Sequence, residues 1–505
     1  MRTLIKNGWI WRGEETSEEP EPEDVLIENG RIVSVGLLSG VADADVIDAA
    51  GMLVMPGLVN AHFHSPVNHM KGALPSLPLE LFMLYESPAN EALRPTPREA
   101  YVRTLLACLE MIRNGVTAVQ DDAFFVPYPE PAIIDAVLQA YEDSGLRARV
   151  ALDQSDVAEA DKLPFLDQIM NDNQRRRLAV KPKVGSEQLL EMYEHLISRW
   201  HGAAGGRIRA AVSCSAPQRV TPTYAQALEN LSRTHDLPFY VHILETKVQR
   251  ALGVDTLSGR SLVVLADDLG ILTERTNVIH AVWVDDEDLD RIARAGAVIA
   301  HNPISNLRLG SGVMRFRAIR DQGIPIALGT DEAIADDAVN MWAVAKMTGL
   351  IHNIADPDYE TWPTALEVLD CLILGGHRAM RSDNVGAIAP GQTADLCLID
   401  LDTLAFTPLN DIHRQLVYCE NGSSVRLTMI DGRIVFSGGR VQTMDERTIR
   451  EESRQLANDR RAGLRAAAAE AEEWNPAYRQ MYLKAAAQDL GINRWVGDSV
   501  GKGME

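Results

Sequence analysis

Five residues of this chain stand where hydrolytic metal chemistry would need them. His62 and His64 close the apolar run GLVNAHFH. In an extended strand, positions i and i+2 face the same side, so both imidazoles point one way. Two co-directed neutral imidazoles form a favoured half-site for zinc. His242 ends PFYVH, His280 ends NVIH and Asp331 ends IALGTD. Read alone, the H-x-H pair is as readily two core or surface histidines as two ligands, and a single strand-end histidine is more often structural. Converging on one site, these groups offer imidazole nitrogens and a carboxylate oxygen while leaving a position open for water. Glu245, three residues beyond His242, is near enough to that water to serve as acid and base.

The elements that must position these residues are apolar strands alternating with amphipathic helices. GLVNAHFH, VTAVQDD, RARVALDQ, RIRAAVSCSA, PFYVHIL, TNVIHAV, AVIAHNP and IPIALGTD are separated by segments such as PREAYVRTLLACLEMIRNG and AQALENLSRTH. Eight strand–helix units predict an α/β fold, a (β/α)8 TIM-like barrel with its site at the strands' C-terminal ends. Both chain ends read differently. TLIKNGWIW, EDVLIENGRIVSVG, ADLCLID and SVRLTMIDGRIVFSGGRV are short strands with Asn-Gly, Asp-Gly and Gly-Gly turn signals. They predict one small β-sandwich built from residues 1–55 and 385–445, flanking a barrel over 56–384. The acidic, proline-containing GEETSEEPEPED reads as an exposed loop. Residues 446–505 are rich in Ala, Glu and Arg and predict a helical C-terminal extension, packed on the barrel or used in subunit contacts.

Composition narrows the partners. The 505 residues carry 71 acidic against 49 basic side chains, a formal charge of −22. Such a field repels phosphate backbones and anionic lipid, which argues against nucleic acid or a membrane as partner. Five cysteines without a C-x-x-C pair argue against a disulfide framework and a cysteine zinc site. The N-terminus has no apolar signal core, and no run is long enough to span a bilayer, so a cytoplasmic location is expected.

PGLVNAHFH, VHILE, the isolated His280, HNPISN and GTD together resemble the amidohydrolase superfamily. The branch is that of the metal-dependent deaminases and chlorohydrolases, which includes S-adenosylhomocysteine, guanine, cytosine and s-triazine-processing enzymes. VGAIAPGQTADLCLID is similar to that family's return into its small β-sandwich. The resemblance implies His62, His64, His242 and Asp331 as metal ligands and Glu245 as proton shuttle. It implies that His280 orients a metal-activated hydroxide, with Asp331 or His280 accepting its proton. The implied reaction is hydrolytic deamination of an aminated N-heterocycle of purine, pyrimidine, pterin or triazine type. Hydrolysis of a C–Cl, amide, urea or carbamate bond uses the same groups, and the motifs do not separate the two. A barrel kept only as a binding module would have lost a ligand, and every position is filled. A homodimer or homotetramer is also implied.

Two-metal relatives bridge their ions with a carboxylated lysine ending the fourth strand. Here RIRAAVSCSAP offers Ser213, Cys214 and Ser215 instead. The expectation is one divalent metal per chain, zinc, with ferrous iron accepting the same ligands.

The substrate side is less defined. His301 in HNPISN either contacts substrate or braces its loop. Asn68 lies on the loop after the first barrel strand, with His69, read as a surface histidine. Phe82, Met83 and Tyr85 in LPSLPLELFMLYESP either cap the pocket or form the buried face of a short helix. Asp121, Asp122, Asp153, Glu332, Asp336 and Asp337 crowd the expected mouth. They favour a neutral or cationic small molecule, unless they cap helix N-termini.

Overall fold

The N-terminal alternation folds as strands in the computed structural model, which describes residues 2–13, 19–87 and 90–496. β1 (Arg2–Ile10) pairs antiparallel with β2 (Glu21–Glu28), which turns into β3 (Arg31–Gly36). The turn is Asn29-Gly30, with φ of 50° and 80°, the positive values a two-residue hairpin requires. β4 (Asp45–Asp48) and β5 (Met52–Pro56) run parallel to β1.

Two expectations change here. Asn7-Gly8 is not a turn: Asn7 has φ 60° inside β1, and the register breaks between Ile5 and Gly8 as a bulge. Glu21 and Pro22, expected in a loop, belong to β2. β3 reaches only to Asp24, so Pro22 sits on a free edge, where a proline is tolerated. Residues 14–18 of that insert lie outside the described residues.

The barrel strands are parallel. β6 (Leu58–Phe63), β7 (Val116–Phe124), β8 (Arg147–Asp153) and β9 (Ile208–Ala210) follow one another as neighbours. The fourth strand is interrupted at Ala211. Its continuation β10 (Val212–Ser213) pairs with β11 (Phe239–Ile243), followed by β12 (Thr276–His280), β13 (Val298–His301) and β14 (Ile326–Leu328). A parallel bridge between Phe63 and Asp331 brings the end of the last strand back to the first. The strands are buried on both faces, which is why they read as continuous apolar runs. Ala151, Ala211 and Ala300, from the third, fourth and seventh strand positions, form one buried cluster with Tyr240 and Ile279.

Two helices follow β6. α1 (Leu79–Glu86) lies over the mouth, and α2 (Pro97–Arg113) packs outside. α2 starts at a capping box in which Thr96 accepts from the N–H of Glu99 and Glu99 accepts from Thr96. Its buried Val102, Leu105, Leu109 and Ile112 form one stripe against the barrel.

β15 (Leu396–Asp400), β16 (Val425–Ile430), β17 (Arg433–Ser437) and β18 (Arg440–Val441) come from the other end of the chain. They share one nine-stranded sheet with β1–β5, where two stacked sheets were expected. The seam is the antiparallel pair β5–β15, with Leu396 opposite Pro56. Its apolar core gathers Ile5, Val25, Val54, Leu396 and Met429 from both ends.

The C-terminal segment forms α3 (Glu446–Ala471) and α4 (Asn475–Ala486). α3 runs beside α2, with Arg460 on Glu99 at 2.6 Å and Arg98 on Glu452 at 2.6 Å. α4 meets α1, where Asn475 donates to the Tyr85 hydroxyl at 2.6 Å. Further on, Arg494 accepts from the N–H of Val313 at 2.8 Å and donates to the carbonyls of Val282 and Val284. The tail therefore crosses the loops that follow β6, β12 and β13. Among the described residues no helix is long and apolar enough to cross a membrane.

Candidate active site

The C-terminal ends of β6, β11, β12 and β14 bring the five predicted residues together. His62 lies in β6 and His64 just beyond it, both buried. Their Nε2 atoms are 3.1 Å apart, and Oδ1 of Asp331 is 3.4 Å from each. The His242 ring centroid lies 4.9 Å from that of His62 and 5.5 Å from that of His64. Nδ1 of His64 donates to the carbonyl of Asp122 at 2.5 Å, and Nδ1 of His242 to the carbonyl of Ser215 at 2.8 Å. A proton fixed on Nδ1 leaves the Nε2 lone pair free to face inward. Lone pairs and a carboxylate oxygen facing one another this closely repel unless a cation lies between them. The donor set therefore fits a divalent metal ion.

The carboxylate is braced from three sides. Asp331 accepts from Ser305 Oγ at 2.6 Å and from the N–H of Glu332 at 2.8 Å, while its own N–H donates to the His62 carbonyl at 2.9 Å. Asp331 and His280 both adopt left-handed backbone, φ 64° and 74°. Non-glycine residues rarely hold that conformation, and it clusters at functional sites. His280 points Nε2 at Oε2 of Glu245, 3.4 Å away, and at Oδ2 of Asp331, 3.8 Å away. Its Nδ1 receives the amide of Asn306 at 3.0 Å.

Burial sets the charges. It pushes the imidazoles of His62 and His242 down, the latter strongly, and that of His280 down to about 3. All three are neutral near pH 7. Burial alone would raise Asp331, but its hydrogen bond with His62, and the charge that His62, His280 and His64 take up in acid, hold it well below the usual carboxylate range. Glu245 goes the other way: burial, then the charges of Asp331 and Glu80, push it well above. One carboxyl is thus an anion and its neighbour a proton carrier, the division that acid–base hydrolysis uses.

The cleft over these groups is open to solvent and spans about 470 Å³, the solvent at its mouth included. Leu79, Met83, Phe124 and Leu309 supply its apolar wall, and Arg219 is the one cation among its lining residues. Asp153 and Glu332 line it as well. Asp121 and Asp122 are fully buried within β7 and serve the strand ends: Asp121 accepts from the Ser65 N–H and the Tyr141 hydroxyl, and Asp122 from Ser213 Oγ. Asp337 accepts from the Gly72 N–H and Arg308. None of these five acids is the N-cap of a described helix.

The expected substrate residues are elsewhere. Phe82 is fully buried among Val67, Leu309 and Ile334, on the inner face of α1. Tyr85 turns to the tail, donating to Glu472 at 2.9 Å. Asn68 is buried with its amide on the carbonyl of Arg103. His301 sits behind His280 with Nε2 3.2 Å from that of His352, a bracing position. His69 is half-buried rather than on the surface, and burial holds it well below its ordinary range.

Sequence reasoning missed Arg219, Glu80 and Glu86, and the second-layer pair Ser305 and Asn306. Glu80 and Glu86 are buried in α1. Carboxylates interrupting the apolar LELFMLYE were the available signal.

Comparison with known proteins adds an independent line. Residues 53–435 match the model of the amidohydrolase family. The 5'-deoxyadenosine deaminase of Methanosarcina mazei is 29% identical, covering 90% of this chain and 98% of its own. The 5-methylthioadenosine/S-adenosylhomocysteine deaminase of Thermococcus kodakarensis is 32% identical over 86% of this chain and 94% of its own. An adenosine deaminase structure from Xanthomonas campestris, with bound zinc, superposes with TM-score 0.79 at 26% identity, covering 92% of this chain and 98% of the other. An atrazine chlorohydrolase structure from Arthrobacter aurescens, complexed with zinc, gives 0.81 at 24% identity, covering 90% of this chain and 100% of the other. The chain belongs to the amidohydrolase family.

Proposed function

We propose that this protein is a metal-dependent aminohydrolase that removes the exocyclic amine of an N-heterocycle, in the nucleoside class its relatives act on. The observation that carries the reading is the convergence of His62, His64 and Asp331 beside the neutral pair His280 and Glu245. His62, His64, His242 and Asp331 would hold one divalent ion, which we take to be zinc. Such an ion supplies a hydrolytic water acidic enough to attack near neutral pH.

The chain's own groups do the rest. Glu245, kept protonated by burial, gives its proton to the ring nitrogen next to the reacting carbon, and later delivers one to the departing amine. His280, neutral and with Asn306 on Nδ1, presents an Nε2–H that orients the attacking oxygen. Asp331, the persistent anion, accepts the proton lost by the water. The apolar wall of Met83, Phe124 and Leu309 limits the water around the reacting carbon.

A single ion is supported by the state of the close triad beside the site, Asp122, Asp153 and His242. Burial beside Asp153 pushes Asp122 well above the usual range, and Nδ1 of His242 is engaged by Ser215. Asp153 and Asp331 line the cleft against Arg219, which supports a neutral or cationic substrate over an anionic one. We divide the chain into a catalytic barrel over 56–384, a composite β domain over 1–55 and 385–445, and an extension from 446.

Zinc-loaded protein should convert adenosine or 5'-deoxyadenosine with the absorbance change of purine deamination. Chelator-treated protein should not, and turnover indifferent to chelation would contradict the reading.

A further inference from the structure

Glu245 is held by parts of the chain remote from β11. Its own N–H donates to Oε1 of Gln249 at 2.9 Å, and the next residue, Thr246, donates to the buried carboxyl of Glu80 at 2.5 Å. One residue further, Nζ of Lys247 donates to the carbonyl of Ala486, the last residue of α4, at 2.7 Å. The same ammonium lies 5.1 Å from the ring centre of Trp495 and 5.8 Å from that of Trp283. The two indoles meet edge to face at 5.3 Å. A cation gains from aromatic faces at such distances, so Lys247 fastens the tail to the strand end that carries Glu245.

The carboxyl of Glu245 has a second neighbour on the loop after β13. There the buried Ser311 donates from Oγ to Oε1 of Glu245 at 3.5 Å. The backbone of Ser311 is pinned: its N–H donates to the carbonyl of Asn306 at 2.7 Å, and its carbonyl accepts the indole N–H of Trp283 at 2.7 Å. It stands between Gly310 and Gly312, whose φ values are 65° and 126°. A loop flanked by two such glycines has wide backbone freedom, and the groups that bind it choose its path. The tail binds it on both sides. Trp495 donates from Nε1 to the carbonyl of Gly310 at 2.9 Å, and the carbonyl of Arg494 accepts from the N–H of Val313 at 2.8 Å. The approach is so close that a Cβ on Gly312 would lie 2.7 Å from the Arg494 carbonyl oxygen. Arg494 is seated in turn by its guanidinium on the carbonyls of Val282 and Val284, either side of Trp283.

We propose that segment 486–495 of the tail is a positioning element of the catalytic site: Trp495 acts through Ser311, and Ser311 acts through Glu245. The Ser311 hydroxyl engages Oε1, so the transferable proton of Glu245 stands on Oε2, the oxygen that faces His280. Neither Ser311 nor Trp495 is among the residues lining the cleft, so both work on the substrate only through Glu245. The tail, which lies beyond the family-matching residues, thereby has a task in the reaction. This inference rests on Glu245 as the proton carrier of deamination.

Zinc-loaded parent, Ser311→Ala, Trp495→Ala and the double variant are compared on the nucleoside that the parent turns over fastest. Each single variant should lose about tenfold in kcat, with KM and zinc content within about threefold of the parent. The double variant should fall no more than about twofold below the slower single one, because both substitutions break one route. Unchanged kcat in either single variant, or losses that multiply in the double, overturn the proposal. Trp495→Phe keeps a ring on Trp283 and loses the N–H to Gly310. It should move the same way by a smaller factor, and it serves if the alanine variant does not fold. Hydrogen exchange tests the tail's grip without turnover. Trp495→Ala should exchange about tenfold faster or more at residues 309–314, with β6 and β7 as slow as in the parent. Exchange unchanged in that loop, or raised everywhere alike, overturns the proposal as well. A parent that turns over no nucleoside counts against the deaminase reading, and the exchange result alone then decides whether the tail holds the Ser311 loop.

Discussion

Nε2 of His280 stands 3.4 Å from Oε2 of Glu245, while Nδ1 of the same ring receives the amide of Asn306 at 3.0 Å. The amide donor leaves the ring proton on Nε2, facing the carboxyl. Burial holds the imidazole down to about 3, so it stays a neutral donor across the working pH range. His280→Asn should therefore keep its zinc, measured by atomic absorption, while kcat falls by about 10²-fold or more. Loss of the ion would instead make His280 a ligand.

Ser305 donates to Asp331 Oδ2 at 2.6 Å, fixing the carboxylate that faces His62 and His64. Groups that orient a ligand in this way typically contribute about 10–100-fold in metal affinity. Ser305→Ala should weaken zinc binding by that factor in a competition titration with a chelating dye. An unchanged affinity would remove Asp331 from the ligand set or Ser305 from its support.

Gly329 separates β14 from Asp331 at the point where β14 closes on β6. A Cβ there would lie 2.8 Å from the backbone nitrogen of His62 and 2.5 Å from Asn302 Oδ1. Backbone cannot yield as a side chain can, so Gly329→Ala should cost about 1–3 kcal/mol. A lower Tm together with reduced zinc occupancy is expected. An unaltered Tm would mean that the two strands are further apart than described.

Glu86 gives a pH dependence of definite sign. Burial raises it from 4.5 to about 7, so between those values the folded chain binds more protons than the unfolded one. Its contribution to stability is complete below about pH 4.5 and is lost as pH rises through 7. Glu86→Gln removes that loss. In chelator-treated protein, the Tm advantage of the variant over the parent should grow from pH 5 to pH 8. A constant difference would show that Glu86 is not buried as a proton carrier.

What could be read from residue order alone follows period and strand ends. The H-x-H of β6 is legible because i and i+2 share a face. His242, His280 and Asp331 are legible because each terminates an apolar run. Tyr85 was not, since its orientation depends on Asn475, 390 residues away in sequence. Phe82 belongs to a helix whose inner face only the assembled mouth defines. HNPISN was visible as a motif, yet the tasks of Ser305 and Asn306 depend on two other strands bringing Asp331 and His280 to them. At the chain ends, Asn7-Gly8 satisfies turn chemistry and bulge chemistry alike, and the partner strands decide between them.

The most direct measurement is ammonia release by zinc-loaded protein over purines, pyrimidines, their nucleosides, pterins and amino-triazines, beside zinc-loaded Glu245→Gln. Ammonia stoichiometric with product from the nucleoside class, and none from the variant at equal zinc content, is the expected result. Ammonia release that survives Glu245→Gln would contradict the assigned proton path. Silence across the panel with zinc bound would contradict deamination and leave amide, urea or carbamate hydrolysis as the reaction of this site.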